Sequence, residues 1–244
     1  MHLVVILPAS CNDPSASAAS GPWFESLPAV IQKEVTERIH VRHRSIGEPL
    51  FTQGQEGTGL HCLIEGQIHV TASTVDGGSV LMGILRPGDW VGFLAALDGG
   101  AYVFTATCVT KSETATLPCS DVRKIFECSV ERYKHLVTPE LVISRRNYHF
   151  LIERHGSPAL QRLAERLLDL GRWPYSPPGG PVSDLEGVSQ EQLAEATRVS
   201  RQTVNEALRL LEKRGVVAHR RGHIVVLDIP ALIAIAAGDK GPSP

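Results

Sequence analysis

The chain has 244 residues, with 24 Lys and Arg against 26 Asp and Glu, a formal charge of −2 and 43% hydrophobic residues. Such a length suits two domains of about 100 to 200 residues each, and the charge balance excludes a disordered polyelectrolyte or a protein that coats nucleic acid by charge alone. No apolar run approaches the roughly 20 residues that cross a bilayer, so no membrane partner is expected.

The first eleven residues, Met1 to Cys11, place a short apolar run ahead of a cysteine. No Lys or Arg precedes that run, and it spans about five residues where a signal peptide needs about 7 to 15. Residues 3–7 could form a short strand. From Pro8 to Pro22, twelve of fifteen residues are Ala, Ser, Pro or Gly, too little apolar surface to offset chain entropy, so residues 1–22 read as a flexible leader. Five cysteines (Cys11, Cys62, Cys108, Cys119 and Cys128) show no C-x-x-C spacing, which suggests neither a disulfide framework nor a zinc ribbon and makes a reducing cytoplasm the expected compartment. The ten histidines read as surface and core residues, and no metal site is expected.

From Trp23 to Ile39 apolar residues recur at helical spacing, as one short amphipathic helix or two. Between about Val41 and Leu117 the period changes to short β-branched runs punctuated by glycines, a many-stranded antiparallel unit. Glu65-Gly66 and Arg86-Pro87-Gly88-Asp89 carry the chemistry of tight turns.

Helical spacing returns at Ser120. In the long segment from Ser129 to His155, Pro139 is expected to interrupt the helix, since proline lacks the amide proton and clashes with the preceding turn. Thr138 would then cap a new helix with Pro139 at its first position. Leu141, Arg145, Tyr148 and Ile152 follow at spacings of 4, 3 and 4, a seam for a partner helix or for the chain's own domain. After Gly156-Ser157-Pro158 another amphipathic helix ends near Trp173, and Pro174 to Pro181 reads as a loop. The expected divisions are a leader (1–22), a β-rich unit (23–127), a long helical region (128–156), a C-terminal unit (157–238) and a tail (239–244).

The C-terminal unit carries the clearest functional signal. Ser189-Gln190-Glu191-Gln192 has the form of a capping box, so a helix should start at Gln190. Arg198-Val199-Ser200 supplies a turn, and Ser200 can cap a second helix. On that helix Val204, Ala207, Leu208 and Leu211 should be buried, while Arg201, Gln202, Asn205, Glu206 and Arg209 face outward. Arg, Gln and Asn can pair bidentately with guanine or adenine edges, which is what a helix-turn-helix reader of the major groove requires. Two strands around Arg220-Arg221-Gly222-His223 would form a wing. Residues 198–223 hold seven basic residues against Glu206 and Glu212, a local net of +5. The expected DNA-contacting set is Ser200, Arg201, Gln202, Thr203, Asn205, Arg209, Lys213, Arg220 and Arg221, with Lys213, Arg220 and Arg221 on phosphates and Arg201, Gln202, Asn205 and Arg209 on bases.

In this order of parts, Val199-Ser200-Arg201-Gln202-Thr203-Val204 resembles the S-R-E-T-V recognition helix of the CRP/FNR family of bacterial transcription regulators, and Pro87-Gly88-Asp89-Trp90-Val91-Gly92 resembles the G-D-x-x-G approach to that family's effector pocket. The similarity covers about Phe24 to Leu227. It implies an α+β fold: an antiparallel β-roll like a cyclic nucleotide-binding domain, a long dimerisation helix and a C-terminal winged helix-turn-helix. It also implies a homodimer formed along the long helix, with Leu141, Arg145, Tyr148 and Ile152 at the interface, and double-stranded DNA with a palindromic operator as partner. RNA polymerase is a further candidate partner.

In cAMP-binding members a G-E-L passage offers a glutamate to the ribose and an R-S pair clamps the cyclic phosphate; the corresponding residues here are Gly92-Phe93-Leu94 and Tyr102-Val103. Phe93 has no acceptor, and Tyr102 offers one neutral donor where arginine presents a charged fork. Each lost hydrogen bond to an ion is worth about 1.5 to 3 kcal/mol, so cAMP as a cofactor is expected to bind weakly, by roughly two to four powers of ten. Asn147 could still contact a purine. The pocket could hold another ligand, or Phe93, Phe104 and Tyr102 could fill it. Cys128, near a helix start with Arg123, Lys124 and Arg132 close in sequence, is a redox candidate; an inert thiol is the alternative. No nucleophile, base and orienting acid appear together, so no enzyme is expected.

Overall fold

The Trp23 to Ile39 periodicity resolves into two short helices, α1 (Pro22–Glu25) and α2 (Ala29–Thr36), in a computed structural model that describes residues 19–75, 77–153, 157–171, 184–220 and 223–238. Residues 19–21, assigned by composition to the leader, are packed instead: Ala19 is buried, and the Ser20 carbonyl accepts from Trp90 Nε1 at 2.9 Å. The possible strand at residues 3–7, the loop at 174–181 and the tail from 239 lie outside the described residues.

The β-rich unit runs β1 (His40–Arg44), β2 (Pro49–Phe51), β3 (Gly59–Glu65), β4 (Ile68–Ser73), β5 (Ser79–Leu85) and β6 (Trp90–Val91), then a short helix α3 (Phe93–Asp98), then β7 (Thr105–Cys108) and β8 (Ser112–Pro118). The strands form two antiparallel four-stranded sheets, β1-β8-β3-β6 and β2-β7-β4-β5. Glu65-Gly66 is a turn, as expected, but β3 and β4 do not pair with each other: the chain passes there from one sheet to the other. Gly66 has φ 98° with its α-carbon against Lys111 and Ser112, a place where a side chain would collide. In the second turn, Asp89 Oδ2 accepts from Arg86 N at 2.8 Å. Burial raises the Asp89 carboxyl to about 6, against the opposing pull of that bond and of the Arg86 charge. The helix α3, set among strands, was not legible in the alternation.

Two helices follow, α4 (Cys119–Phe126) and α5 (Val130–Glu153). The expected break at Pro139 does not occur, and α5 runs through it. A proline at 139 frees the carbonyl of His135, four residues earlier, and a buried carbonyl without a partner is costly. Trp23 Nε1 donates to that carbonyl at 2.8 Å, from 112 residues away. Thr138 does not cap a new helix; its hydroxyl donates back to the Lys134 carbonyl. The helix thus survives its proline because the indole of α1 replaces the missing amide. Trp23 is itself locked edge-on against Trp90 and Phe93, with ring centroids 4.9 and 5.0 Å apart.

The C-terminal unit comprises α6 (Ala159–Gly171), β9 (Asp184–Glu186), α7 (Gln190–Thr197), α8 (Arg201–Lys213), β10 (Val217–Arg220), β11 (His223–Val226) and α9 (Ile229–Ala236). Its three strands pair antiparallel in the order β10-β11-β9, of which β9 was not anticipated. The core of this unit extends into the roll: Leu81 and Ile84 of β5 belong to the same buried cluster as Leu163, Leu167, Leu193 and Leu211. Polar contacts reinforce the seam. Gln67 Nε2 donates to the Glu186 carbonyl at 2.8 Å, Arg86 Nη1 to the Gly171 carbonyl at 3.1 Å, and Arg166 to the Leu81 carbonyl. His69 Nε2 also lies 3.1 Å from the Glu186 carbonyl, to which it donates, and burial lowers the His69 pKa against the opposing pull of that bond.

Candidate functional site

The capping box is formed as the sequence requires: Ser189 Oγ accepts from Gln192 N at 3.1 Å, and Gln192 Oε1 accepts from Ser189 N at 2.8 Å. The turn into α8 uses Arg198 in the left-handed region at φ 53°, the one non-glycine with positive φ among the described residues. Ser200 caps α8, its hydroxyl accepting from Thr203 N at 3.1 Å and meeting Thr203 Oγ1 at 2.8 Å. Val204, Ala207, Leu208 and Leu211 are buried, as expected, which turns the other side of α8 to solvent. Arg201, Gln202, Arg209 and Lys213 are exposed there, with Thr203 and Asn205 half-buried beside them. Gln202 Nε2 donates to Glu206 Oε1 at 3.1 Å.

The wing strands β10 and β11 pair from Val217–Val226 to Arg220–His223, and Glu212 Oε1 at the end of α8 accepts from His219 N at 2.8 Å, tying wing to helix. The Arg220 side chain and Arg221 lie outside the described residues. Gln190 and Glu191 of α7, which were not singled out from sequence, touch Asn205 and Arg201; no periodicity marks them, because their place against α8 depends on how the two helices cross.

A second site lies between the roll and α5. Gly92 caps α3 at φ 99° with its α-carbon close to the Gly59 carbonyl, so no side chain fits there. Gly92, Phe93, Leu94, Tyr102 and Val103 are brought together around a cavity of about 80 Å³ completed by Glu140 and Ile143 of α5. Asn147 stands on α5, but its side chain lies outside the described residues. Such a volume holds about two or three waters, less than the roughly 150 Å³ that accommodates benzene. No Lys, Arg or His lines it among the described residues.

The Tyr102 hydroxyl is engaged within the roll. It accepts from Thr58 N (2.9 Å) and Gly59 N (3.2 Å), donates to the Gly59 carbonyl (3.1 Å) and meets His61 Nε2 at 2.9 Å. A hydroxyl has one donor and two acceptor positions, so these partners saturate it. Its ring stacks on Phe51 at 4.0 Å and 15°. Burial, with a smaller contribution from Arg44, drives His61 down to about 3 and keeps it neutral. Phe93 is also withdrawn, 2% exposed and packed on Trp23. Glu140, invisible to local sequence rules, brings a carboxylate to the cavity: burial and the Asp98 charge raise its pKa, and a hydrogen bond from the Leu94 amide opposes them.

Leu141 and Tyr148 of the expected seam are 53% and 65% exposed in the single chain, and Arg145 is exposed beside them; the Ile152 side chain lies outside the described residues. Cys128 is exposed just before α5, its Sγ donating to the Ile125 carbonyl. Arg132 forks onto both Glu34 oxygens at 2.9 Å while its charge still acts on Cys128, and Lys124 pairs with Asp121. Among the described residues no group of acidic, histidine and cysteine side chains could hold a metal, and no helix is long and apolar enough to cross a membrane.

A two-sheet roll joined by a long helix to a winged helix-turn-helix defines a DNA-binding regulator of transcription with a sensor-type domain. Residues 41–128 match the Cyclic nucleotide-binding domain family and residues 161–235 the Crp-like helix-turn-helix domain family. The chain belongs to the CRP/FNR family of transcription regulators. It is 25% identical to a CRP-like cAMP-activated global transcriptional regulator of Mycobacterium tuberculosis, over 75% of this chain and 81% of that one. Over 76% of this chain and 91% of the relative it is 28% identical to the transcriptional regulator LdrP of Thermus thermophilus. The crystal structure of a CRP-family transcriptional regulator from the same organism superposes with a TM-score of 0.58 at 26% identity, covering 80% of this chain and 96% of that one.

Proposed function

We propose that the chain acts as a homodimeric, sequence-specific DNA-binding regulator of transcription whose effector pocket does not hold cyclic AMP in the manner of the family's cAMP-binding members. The observation that carries the DNA assignment is α8, which buries one apolar face and presents Arg201, Gln202 and Arg209 from the other. Lys213, with Arg220 and Arg221 of the wing, supplies salt-sensitive phosphate contacts, while Arg201, Gln202, Asn205 and Arg209 read bases. Dimerisation along α5 is supported by the exposed Leu141 and Tyr148. Two heads so joined would meet half-sites about 34 Å apart. An effector would act by preferring one arrangement of the heads, and the shared cluster around Leu81 and Ile84 is the contact such a preference would bias.

The pocket reading rests on the saturated Tyr102 hydroxyl, the withdrawn Phe93 and the Glu140 carboxylate, which repels a phosphate. Selection of duplexes from random sequence tests the function: a palindromic site is expected, and binding without sequence preference would overturn it. Arg201→Ala should cost about 1 to 3 kcal/mol at one base position, whereas Lys213→Ala should weaken all sequences alike and reduce the salt slope by about one. Calorimetry tests the pocket: cAMP bound at micromolar affinity or tighter would overturn that part.

A further inference from the structure

Two side chains of the first head helix stand against the residues assigned to bases. Gln190 and Glu191 open α7, next to the capping Ser189. Gln190 Oε1 accepts from Arg201 Nε at 3.5 Å, and Gln190 Nε2 donates to Asn205 Oδ1 at 2.9 Å. Glu191 Oε1 lies 2.9 Å from Arg201 Nη1, with the two side chains 58% and 65% exposed.

We infer that Gln190 and Glu191 form a clamp that sets base discrimination, Gln190 as a positioning residue for Arg201 and Asn205, and Glu191 as an anionic competitor that a base edge must displace. The inference rests on the reading of Arg201 and Asn205 as base contacts. Its logic follows from donor and acceptor types. A guanidinium can only donate, so Arg201 turns the oxygen of the Gln190 amide toward itself and the NH₂ toward Asn205. Asn205 must then give its oxygen to Gln190 and present its Nδ2 donors elsewhere. Donors from both residues suit the two major-groove acceptors of guanine, N7 and O6, better than the mixed donor and acceptor edge of adenine.

Glu191 acts on selectivity differently. An Arg201 without a partner would bind any phosphate. With the ion pair in place, any contact to Arg201 must replace the Glu191 oxygen as well as desolvate the guanidinium, so the pair weighs most on the complex that depends on Arg201, the one with a guanine edge on its two aligned acceptors. Exposed ion pairs of this kind shift equilibria by up to about 5-fold.

The test measures the full-length protein on its selected duplex and on a scrambled duplex of equal length, with the base preference at each position. Glu191→Gln should raise affinity for the selected duplex about 2- to 5-fold, because its base edge no longer has to displace the ion pair, and for the scrambled duplex less. In an Arg201→Ala background that difference should vanish, because the cycle isolates the pair from the general effect of removing a negative charge. Gln190→Ala should flatten the preference at the Arg201 and Asn205 positions without changing scrambled binding. Gln190→Glu can only accept, so it should rotate the Asn205 amide and shift that position from guanine toward a donor-bearing base. Unchanged preferences in both Gln190 variants, or an equal Glu191→Gln effect with and without Arg201, overturn the clamp. A wild-type protein without sequence preference refutes the DNA reading itself, and the clamp with it; that failure shows in the parent before any variant is made.

Discussion

Replacing Trp23 by phenylalanine isolates the bond that carries α5 through Pro139. Phenylalanine keeps an aromatic ring among Trp90, Phe93 and Phe126 but removes the N–H that reaches the His135 carbonyl at 2.8 Å. Leaving that carbonyl without its partner costs about 1–3 kcal/mol. The smaller ring in a site only 4% exposed adds about 1–2 kcal/mol through lost burial and incomplete collapse. The two contributions separate in a Pro139→Ala background, where the restored amide at 139 can donate to the same carbonyl. There Trp23→Phe should cost only the packing part, a coupling of about 1–3 kcal/mol between residues 116 positions apart. Urea denaturation followed by far-ultraviolet circular dichroism, which does not depend on the removed tryptophan, reads both costs as midpoint shifts at constant slope. An equal cost in the two backgrounds would refute the exchange of indole for amide.

Other outcomes follow from the same geometry. His61 and Asp89 should contribute opposite pH dependences. The folded pKa of His61 is depressed to about 3, so its stabilising contribution is full above about 6.5 and is lost as pH falls toward 3. That of Asp89 is raised to about 6, so its contribution is full below about 3.8 and is lost as pH rises toward 6. Between about pH 4 and 6 the two slopes, each up to about 1.4 kcal/mol per pH unit, oppose each other. Asp89→Asn should therefore steepen acid destabilisation and His61→Gln should flatten it; denaturation midpoints across that range giving the reverse order would contradict both assignments. Arg198→Gly should stabilise the head by about 0.5–1 kcal/mol by relieving the φ 53° conformation, and Arg198→Ala should not; equal midpoints for the two would exclude strain at that turn. If the proposed dimer forms along α5, Leu141→Arg should give monomers in sedimentation and weaken binding to a palindromic duplex far more than to a half-site; a variant that stays dimeric would remove α5 from the interface.

What could be read without a structure was whatever lies within about one turn of chain. The Ser189 capping box, the Ser200 cap, the buried stripe Val204, Ala207, Leu208 and Leu211, and the Arg86 to Asp89 turn all depend on residues a few positions apart, and all are present. The local net of +5 and the S-R-Q-T-V passage were equally local, which is why the DNA head was legible by itself.

Tertiary structure decided what depends on distant partners. Proline chemistry at 139 predicts a break, and only an indole from Trp23 could cancel it. Turn chemistry marks Gly66, but which strands pair on either side of it does not follow, and β3 and β4 lie in different sheets. Tyr102 looks like a ligand donor until Thr58, Gly59 and His61 are seen to saturate its hydroxyl. Glu140 reaches the cavity beside Tyr102, and Gln190 and Glu191 reach Asn205 and Arg201, through helix packing that no periodicity encodes. Caps, turns and stripes are set by the geometry of a single segment. Which polar atom satisfies which is set by packing between segments, and in this protein that second level engages the Tyr102 hydroxyl inside the roll and sets Gln190 and Glu191 against α8.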